Sequence, residues 1–165
     1  MTTDPHIAVS DAIVAIRSFP RRFREVVAGP VGDDSWDRIV RTVAHGQTRS
    51  ALGWTHLASQ MLGELGRTVA MLATNTKPSA SIAAQERLGE PGQTLGPTEV
   101  LSELASAATM AAVATEARTS NGWERVIAVD GADQTAHDLL SAVVHAVSGH
   151  LRDARVALDA ARIAG

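Results

Sequence analysis

The sequence contains no cysteine and few aromatic residues, and each shortage excludes a kind of function. Without cysteine the chain forms no disulfide, thiolate nucleophile or iron–sulfur cluster, and any metal site must use histidine and carboxylate ligands. The aromatic residues are three tryptophans and two phenylalanines, and the formal net charge is −3. Proteins that bind nucleic acid generally need a basic surface and aromatic rings on which bases stack. We therefore expect no nucleic-acid partner.

Long apolar runs are also missing from the sequence. No run reaches the roughly 18 residues that a membrane-spanning helix needs, and residues 1–10 lack the basic start and apolar stretch of a secretory signal peptide. We therefore expect a cytoplasmic protein with no membrane partner. A chain of 165 residues has the size of one domain, so the prediction is a single domain over residues 1–165.

Helix signals dominate what the sequence does contain. Alanine is abundant, and Ala favours helix because it loses no side-chain entropy there. Asp4-Pro5 and Gly96-Pro97 are helix starts with proline in the first turn, and Thr135-Ala-His-Asp138 is a capping box. Together with the apolar periodicity, these signals predict four long helices, near residues 5–28, 48–74, 97–118 and 135–163.

Two longer connections join the predicted helices. Asn75–Gly96 is expected to cross over between the second and third helices, with a short helix at Ile82–Leu88. Asn121–Ala132 is expected to be a second connection, before the last helix. Four amphipathic helices with one long crossover pack most simply as a four-helix bundle. The predicted fold is therefore an all-α four-helix bundle with a long crossover connection.

One arc of the second predicted helix carries only small side chains. Its members are Thr55, Ser59, Gly63, Gly66, Ala70 and Ala73. Small residues let a neighbouring backbone approach closely, or they leave a hollow beside the helix. The sequence leaves both alternatives open.

The histidines on the second and last predicted helices are the best candidates for a functional site. His145 and His150 are five residues apart, so they differ by about 140° around a helix and do not easily share one ion. His150 lies on the apolar stripe of the last helix, and His145 lies on the opposite side. His56 borders the small-residue arc. We therefore expect His56 and His150 to approach each other and to line the main pocket.

A cluster of arginines on the first predicted helix has a simpler interpretation. Arg17, Arg21, Arg22 and Arg24 form a basic stretch, which is usually a solvated helix face. Such a stretch can also meet the anionic groups of a partner or substrate. We interpret it here as a solvated face.

Four segments of the chain resemble the DinB-like superfamily, which includes the N-terminal domain of mycothiol-dependent maleylpyruvate isomerases. Gly46–Ala58 is similar to the second-helix motif and ends in His-Leu-Ala. Trp123–Gly131, then Thr135–Leu140, then His145–Asp153 follow the order of the last loop and last helix in that superfamily. The resemblance in architecture covers nearly the whole chain.

The resemblance implies where a metal would bind. Metal-dependent members hold a divalent ion, commonly zinc or nickel, with one histidine from helix two and two donors spaced four residues apart on the last helix. At the matching positions His56 is the first ligand and His150 the last, with His145 as the second choice. The middle donor is missing, because its place is taken by Ala146 in one register and by Gly149 in the other.

Two hypotheses for function follow from the resemblance and its departure. The first is a divalent-metal-dependent enzyme of the S-transferase or isomerase type that uses a low-molecular-weight thiol such as mycothiol. The second is a non-catalytic DinB-like homodimer that binds a small molecule or has a degenerate metal site. The missing donor favours the second hypothesis. A homodimer is expected because the Ala-rich third helix buries little apolar area in a lone domain.

Overall fold

Four long helices make up most of the fold. A computed structural model describes residues 6–28, 41–44, 46–74, 77–92, 94–118 and 120–164. The helices are α1 (Val9–Ala28), α2 (Ala51–Met71), the short α3 (Ile82–Glu86), α4 (Pro97–Glu116) and α5 (Ala136–Ala164), with a 3₁₀ helix at Ser120–Glu124. The structure confirms the prediction of a mostly helical protein, including the short helix in the first long connection.

The long helices share one apolar core. Helices α1 and α2 each pack against both α4 and α5. Large side chains that are fully buried come from all four helices, and they include Phe19, Phe23, Leu52, Leu62, Leu104 and Leu139. None of the helices that the structure describes combines the length and the apolar character required to cross a membrane.

The starts of α4 and α5 confirm two capping signals. Gly96 is the N-cap of α4, and Pro97 occupies its first turn. At the start of α5 the Asp138 N–H donates to the Thr135 hydroxyl, and the Thr135 N–H donates to the Asp138 carboxylate, both at 3.0 Å. The hydrogen bond from the Thr135 backbone, with a further contribution from His6, holds the pKa of Asp138 below its ordinary value.

Helix α1 begins later than the sequence indicated. The predicted N-cap pair Asp4-Pro5 lies outside the described residues, but residues 6–8 are described and are not helical. The first helical residue is Val9. The Ile7 N–H instead donates to the Ser141 hydroxyl of α5 at 3.1 Å. A tertiary contact therefore replaces the first helical turn that the local signal predicted.

A small three-stranded sheet makes the all-α prediction incomplete. Strand β1 (Ser79–Ala80) comes from the first long connection, and β2 (Val126–Val129) and β3 (Ala132–Thr135) come from the second. The strand order is β1-β2-β3, with β1 parallel to β2 and β2 antiparallel to β3. The sheet therefore joins the connection between α2 and α4 to the connection between α4 and α5.

The β2–β3 hairpin has a two-residue turn of the kind that Asp-Gly favours. Asp130 has φ 51° and Gly131 has φ 85°, and the strands pair from Val129↔Ala132 to Val126↔Thr135. Positive φ at both central residues is the type I′ geometry, which matches the twist of a hairpin. Asp130 also accepts hydrogen bonds from the backbone N–H groups at the start of α3. The turn thus holds the short helix in place.

The small-residue arc of α2 has both a close approach to a neighbouring backbone and a hollow, the two alternatives that the sequence left open. At Gly66 an added Cβ would lie 3.1 Å from the backbone nitrogen of Ala111 and 3.2 Å from its Cα. At Gly63 an added Cβ would meet no atom within 4 Å. The backbones of α2 and α4 therefore approach closely at Gly66, whereas at Gly63 the arc borders an open hollow.

Candidate functional site

His150 packs against one side of α2. Its ring stacks on the Trp54 ring, with 5.2 Å between centroids and 26° between planes, and its Nε2 lies 3.2 Å from the Met61 sulfur. Trp54 and Met61 are seven residues apart and therefore lie on the same face of α2. The Arg49 guanidinium covers the Trp54 ring at 5.7 Å. As predicted from the apolar stripe of α5, His150 is turned inward.

The surroundings of His150 favour its neutral form. Burial lowers the pKa of His150 below its ordinary value of 6.5, and the Arg49 charge lowers it further, whereas Asp153 opposes the shift. The Nδ1 atom is buried and has no hydrogen-bond partner, and the same is true of the Trp54 indole nitrogen. The protein therefore presents an uncharged imidazole against an aromatic ring.

This lowered pKa predicts a loss of stability in mild acid. Between the folded pKa and 6.5 the unfolded chain binds a proton at His150 that the folded chain does not, so the free energy of unfolding falls as the pH drops below about 6.5. In His150→Phe, which keeps a ring on Trp54 but cannot titrate, we expect a shallower loss between pH 6.5 and 5. Urea unfolding at a series of pH values measures the difference.

The matched control is His145→Phe, because His145 is an exposed histidine on the same helix. It should keep the pH dependence of the wild type. If His150→Phe and the wild type lose stability in parallel over this range, then His150 is not the group responsible.

His56 lies on another side of α2 and faces α4. Its Nδ1 is 3.9 Å from a carboxylate oxygen of Glu103, and its side chain is only 14% exposed. His56 follows Trp54 by two residues, so the two side chains point about 200° apart around the helix. Since His150 stacks on Trp54, these contacts place His56 and His150 on different sides of α2.

The other positions of the expected metal site supply no further ligand. His145 is exposed on α5, Ala146 lines a cavity of about 210 Å³ beside Met61, and Gly149 borders open space. Among the described residues, no three histidine or carboxylate side chains form a group that could hold a metal ion. The arrangement does not fit a shared ion, and metal binding at His56 and His150 stays a prediction.

A cavity of about 490 Å³ lies between α2 and α4, with α3 at its edge. Neither His56 nor His150 is among the residues that line it, although Glu103, the neighbour of His56, is one of them. Both walls carry polar groups, although apolar atoms make up the larger part of the lining surface. The polar groups are the hydroxyl, amide and carboxylate groups of Ser59, Gln60, Glu64, Ser102, Glu103 and Ser106. Gly63 also lines the cavity, so the hollow in the small-residue arc opens into it.

Glu64 is the carboxylate that is fixed in this cavity. It binds the Arg67 guanidinium and accepts a hydrogen bond of 2.8 Å from the Ser81 N–H, which ties α2 to the start of α3. Burial by itself would raise the pKa of Glu64, but the hydrogen bonds from Arg67 and Ser81 outweigh burial and hold the pKa below its ordinary value. Glu103 is 44% exposed, and its carboxylate lies 3.9 Å from the His56 Nδ1. The lining of the cavity therefore holds two carboxylates, Glu64 and Glu103, against the single guanidinium of Arg67.

Sequence reasoning missed Glu64 and Glu103 as site residues. Each looks like an ordinary polar residue on the outer face of an amphipathic helix. The useful signal was the glycine at position 63, since a helix-interior glycine is less stable than alanine by about 1 kcal/mol and needs another reason to be there. That signal could not identify α4 as the helix on the far side of the hollow.

Comparison with family models, with curated proteins and with solved structures found no match.

Proposed function

We propose that this chain is a DinB-like helical bundle that binds a small, positively charged molecule in the cavity between α2 and α4. The observation that carries the proposal is the set of charged groups in the cavity lining, which consists of Glu64, Glu103 and Arg67. Two carboxylates and one guanidinium leave a net charge of −1, and Arg67 is already occupied by Glu64. A small amine with hydroxyl or amide groups matches this lining.

The cavity is an open groove whose volume, about 490 Å³, falls within the range of small-molecule sites. Small-molecule sites usually enclose about 300 to 1,000 Å³ and present a few convergent polar groups. Gly63 keeps the floor of this cavity open at a position where alanine would stabilise the helix. The hydroxyls of Ser59, Ser102 and Ser106 can each donate one hydrogen bond and accept others.

Blocking the cavity tests the proposal. In Gly63→Leu the new side chain enters the hollow, because no atom lies within 4 Å of the added Cβ. We expect ethanolamine and putrescine at millimolar concentration to raise the Tm of the wild type, with acetate as the anionic comparison. The increase should be lost in Gly63→Leu and reduced in Glu103→Gln. Differential scanning fluorimetry measures these shifts.

Two results would contradict this assignment. One is that neither amine raises the Tm of the wild type above the effect of equal ionic strength. The other is that Gly63→Leu responds as the wild type does, since the amine would then bind elsewhere. Circular dichroism of each variant shows that its helices are intact.

The alternative is a divalent-metal-dependent enzyme that uses a low-molecular-weight thiol. The neutral His150 favours this alternative, because the neutral imidazole is the form that binds metal ions. The donor that the metal site lacks on α5 can be supplied at either of the two candidate ligand positions, by Ala146→His or Gly149→His. Calorimetric titration with zinc discriminates the two functions. Micromolar binding to the unmodified chain supports the enzyme, whereas binding only after restoration supports the degenerate site.

We also propose that the protein forms a homodimer through α4. Two large apolar side chains of this helix are exposed, Met110 at 63% and Val113 at 54%. Met110 also lines the cavity, so a second copy packed on this face would cover the cavity mouth. Light scattering at micromolar concentration should give the mass of a dimer, and a monomer would contradict the proposal.

A further inference from the structure

A second cavity, of about 350 Å³, lies between α1 and α5, on helices that do not border the first one. From α1 it is lined by Arg22, Glu25 and Val26, and from α5 by Ser148, Leu151, Arg152 and Arg155. Three of these seven residues are arginines. The cavity is therefore a concentration of guanidinium groups on a chain whose formal net charge is −3.

The positive charge of this cavity is not balanced by its own lining. The single carboxylate, Glu25, is bound by Arg21 at 3.0 Å, which itself adds a further positive charge nearby. Within the part of the chain that the structure describes, Arg152 and Arg155 form no ion pair. Three guanidinium groups and one carboxylate leave a net charge of +2 in the lining alone.

Folding by itself does not explain this arrangement. Arg152 and Arg155 are three residues apart on α5, so their side chains are neighbours, and like charges at this spacing repel each other. Some other arginines have acidic partners, such as Arg17 with Glu116 of α4 and Arg67 with Glu64. An anion bound between the two helices would relieve this repulsion.

We propose that the cavity between α1 and α5 binds a small molecule that carries a phosphate monoester. The planar fork of arginine matches phosphate oxygens with two parallel hydrogen bonds. A phosphate monoester offers three terminal oxygens to three guanidinium groups, whereas a carboxylate offers only two. The Ser148 hydroxyl lies on the same wall and can donate a further hydrogen bond.

The base of the cavity is apolar. Val26 and Leu151 line it and are each only 7% exposed, whereas Arg22, Arg152 and Arg155 are exposed and accessible to a ligand from solvent. The Arg22 guanidinium is further positioned by the Phe19 ring, whose centroid lies 6.0 Å away.

Titration with inorganic phosphate and phenyl phosphate tests the proposal, with acetate as the comparison and the ionic strength held constant. We expect saturable binding of both phosphates by isothermal titration calorimetry and much weaker binding of acetate. Arg155→Gln should weaken phosphate binding by roughly tenfold, because one charge-assisted contact is lost. Ser148→Ala should have a smaller effect in the same direction.

Arg24→Gln is the matched control, since Arg24 is an exposed arginine on α1 that does not line the cavity. It changes the net charge by the same amount as Arg155→Gln and should keep the wild-type affinity. An equal loss in both variants would mean that phosphate senses only the general charge of the surface, and this result overturns the site.

A membrane headgroup is the other source of the same phosphate chemistry. Cosedimentation with vesicles that contain phosphatidic acid tests whether the chain binds this headgroup. If the chain binds these vesicles but does not respond to either soluble phosphate, then the proposal of a small-molecule site is overturned. Urea unfolding of each arginine variant verifies that the altered affinity is not a loss of folded protein.

Discussion

Replacing Gly66 by leucine is expected to lower the free energy of unfolding by about 3 kcal/mol, at the upper end of typical overpacking costs. Even a single Cβ at this position would lie 3.1 Å from the backbone nitrogen of Ala111. The obstructing atoms belong to the α4 backbone, so no flexible side chain can move aside. Leucine must therefore force α2 and α4 apart where they share the core.

Gly63→Leu is the matched control for this prediction, because it places the same side chain on the same helix three residues earlier. No atom lies within 4 Å of a Cβ at position 63, and replacing a helix-interior glycine gains up to about 1 kcal/mol. Urea unfolding should therefore show Gly63→Leu at or above wild-type stability. If both variants are destabilised to the same extent, then the close approach at Gly66 is not what distinguishes the two positions.

Glu90→Ala is expected to lower the free energy of unfolding by about 2 kcal/mol, the scale of hydrogen bonds to a charged group. The Glu90 carboxylate accepts a hydrogen bond of 2.7 Å from the Ser50 N–H and also binds the Ser50 hydroxyl. Ser50 is fully buried and caps α2, because its hydroxyl accepts from the Gly53 N–H at 3.0 Å. Removal of the carboxylate leaves the Ser50 N–H without its partner at the start of the helix.

Loss of the Glu90 carboxylate should also make the segment around residue 90 more mobile against the start of α2. Arg49 binds the carbonyl groups of Glu86 and Leu88, so two kinds of contact hold this segment against the start of α2. Glu86→Ala removes an exposed carboxylate from the same region and should change stability little. Limited proteolysis should cleave Glu90→Ala faster than Glu86→Ala near residues 87–92. Equal cleavage and equal stability would contradict the assigned role of Glu90.

The helices could be predicted from the sequence because their signals are local. Pro97 after a glycine and the reciprocal Thr135–Asp138 pair act within one turn of the chain, and both are found where the sequence placed them. The start of α1 could not be predicted in this way. There the deciding contact joins Ile7 to Ser141, which is 134 residues away.

The sheet was missed for two different reasons. Asp130-Gly131 is a hairpin signal in the sequence, but the prediction for Asn121–Ala132 is a simple connection. Strand β1 has only two residues, too few to show any alternation. Its partner strand lies far along the chain, with Ser79 opposite Ala128. No local pattern records such a pairing.

The candidate sites illustrate the same limit. The sequence identified His150 as inward, but it could not show that Trp54 and Met61 would occupy the side of α2 that His150 meets. Arg22 is exposed, as the interpretation of a solvated helix face predicts, but the sequence could not show that Arg152 and Arg155 of another helix lie beside it. The spacing of apolar residues describes the faces of one helix at a time, whereas each of these sites is formed by side chains from two helices.

The parallel pairing of β1 with β2 has a consequence for the order of folding. The Ala128 N–H donates to the Pro78 carbonyl and the Asp130 N–H donates to the Ala80 carbonyl, so these bonds span α3 and the whole of α4. Contacts between residues so distant in sequence form only after the entropy of closing the intervening loop has been lost. The hairpin has a local turn of its own, so we expect it to form before its junction with β1. The junction then fixes the ends of the chain segment that carries α3 and α4.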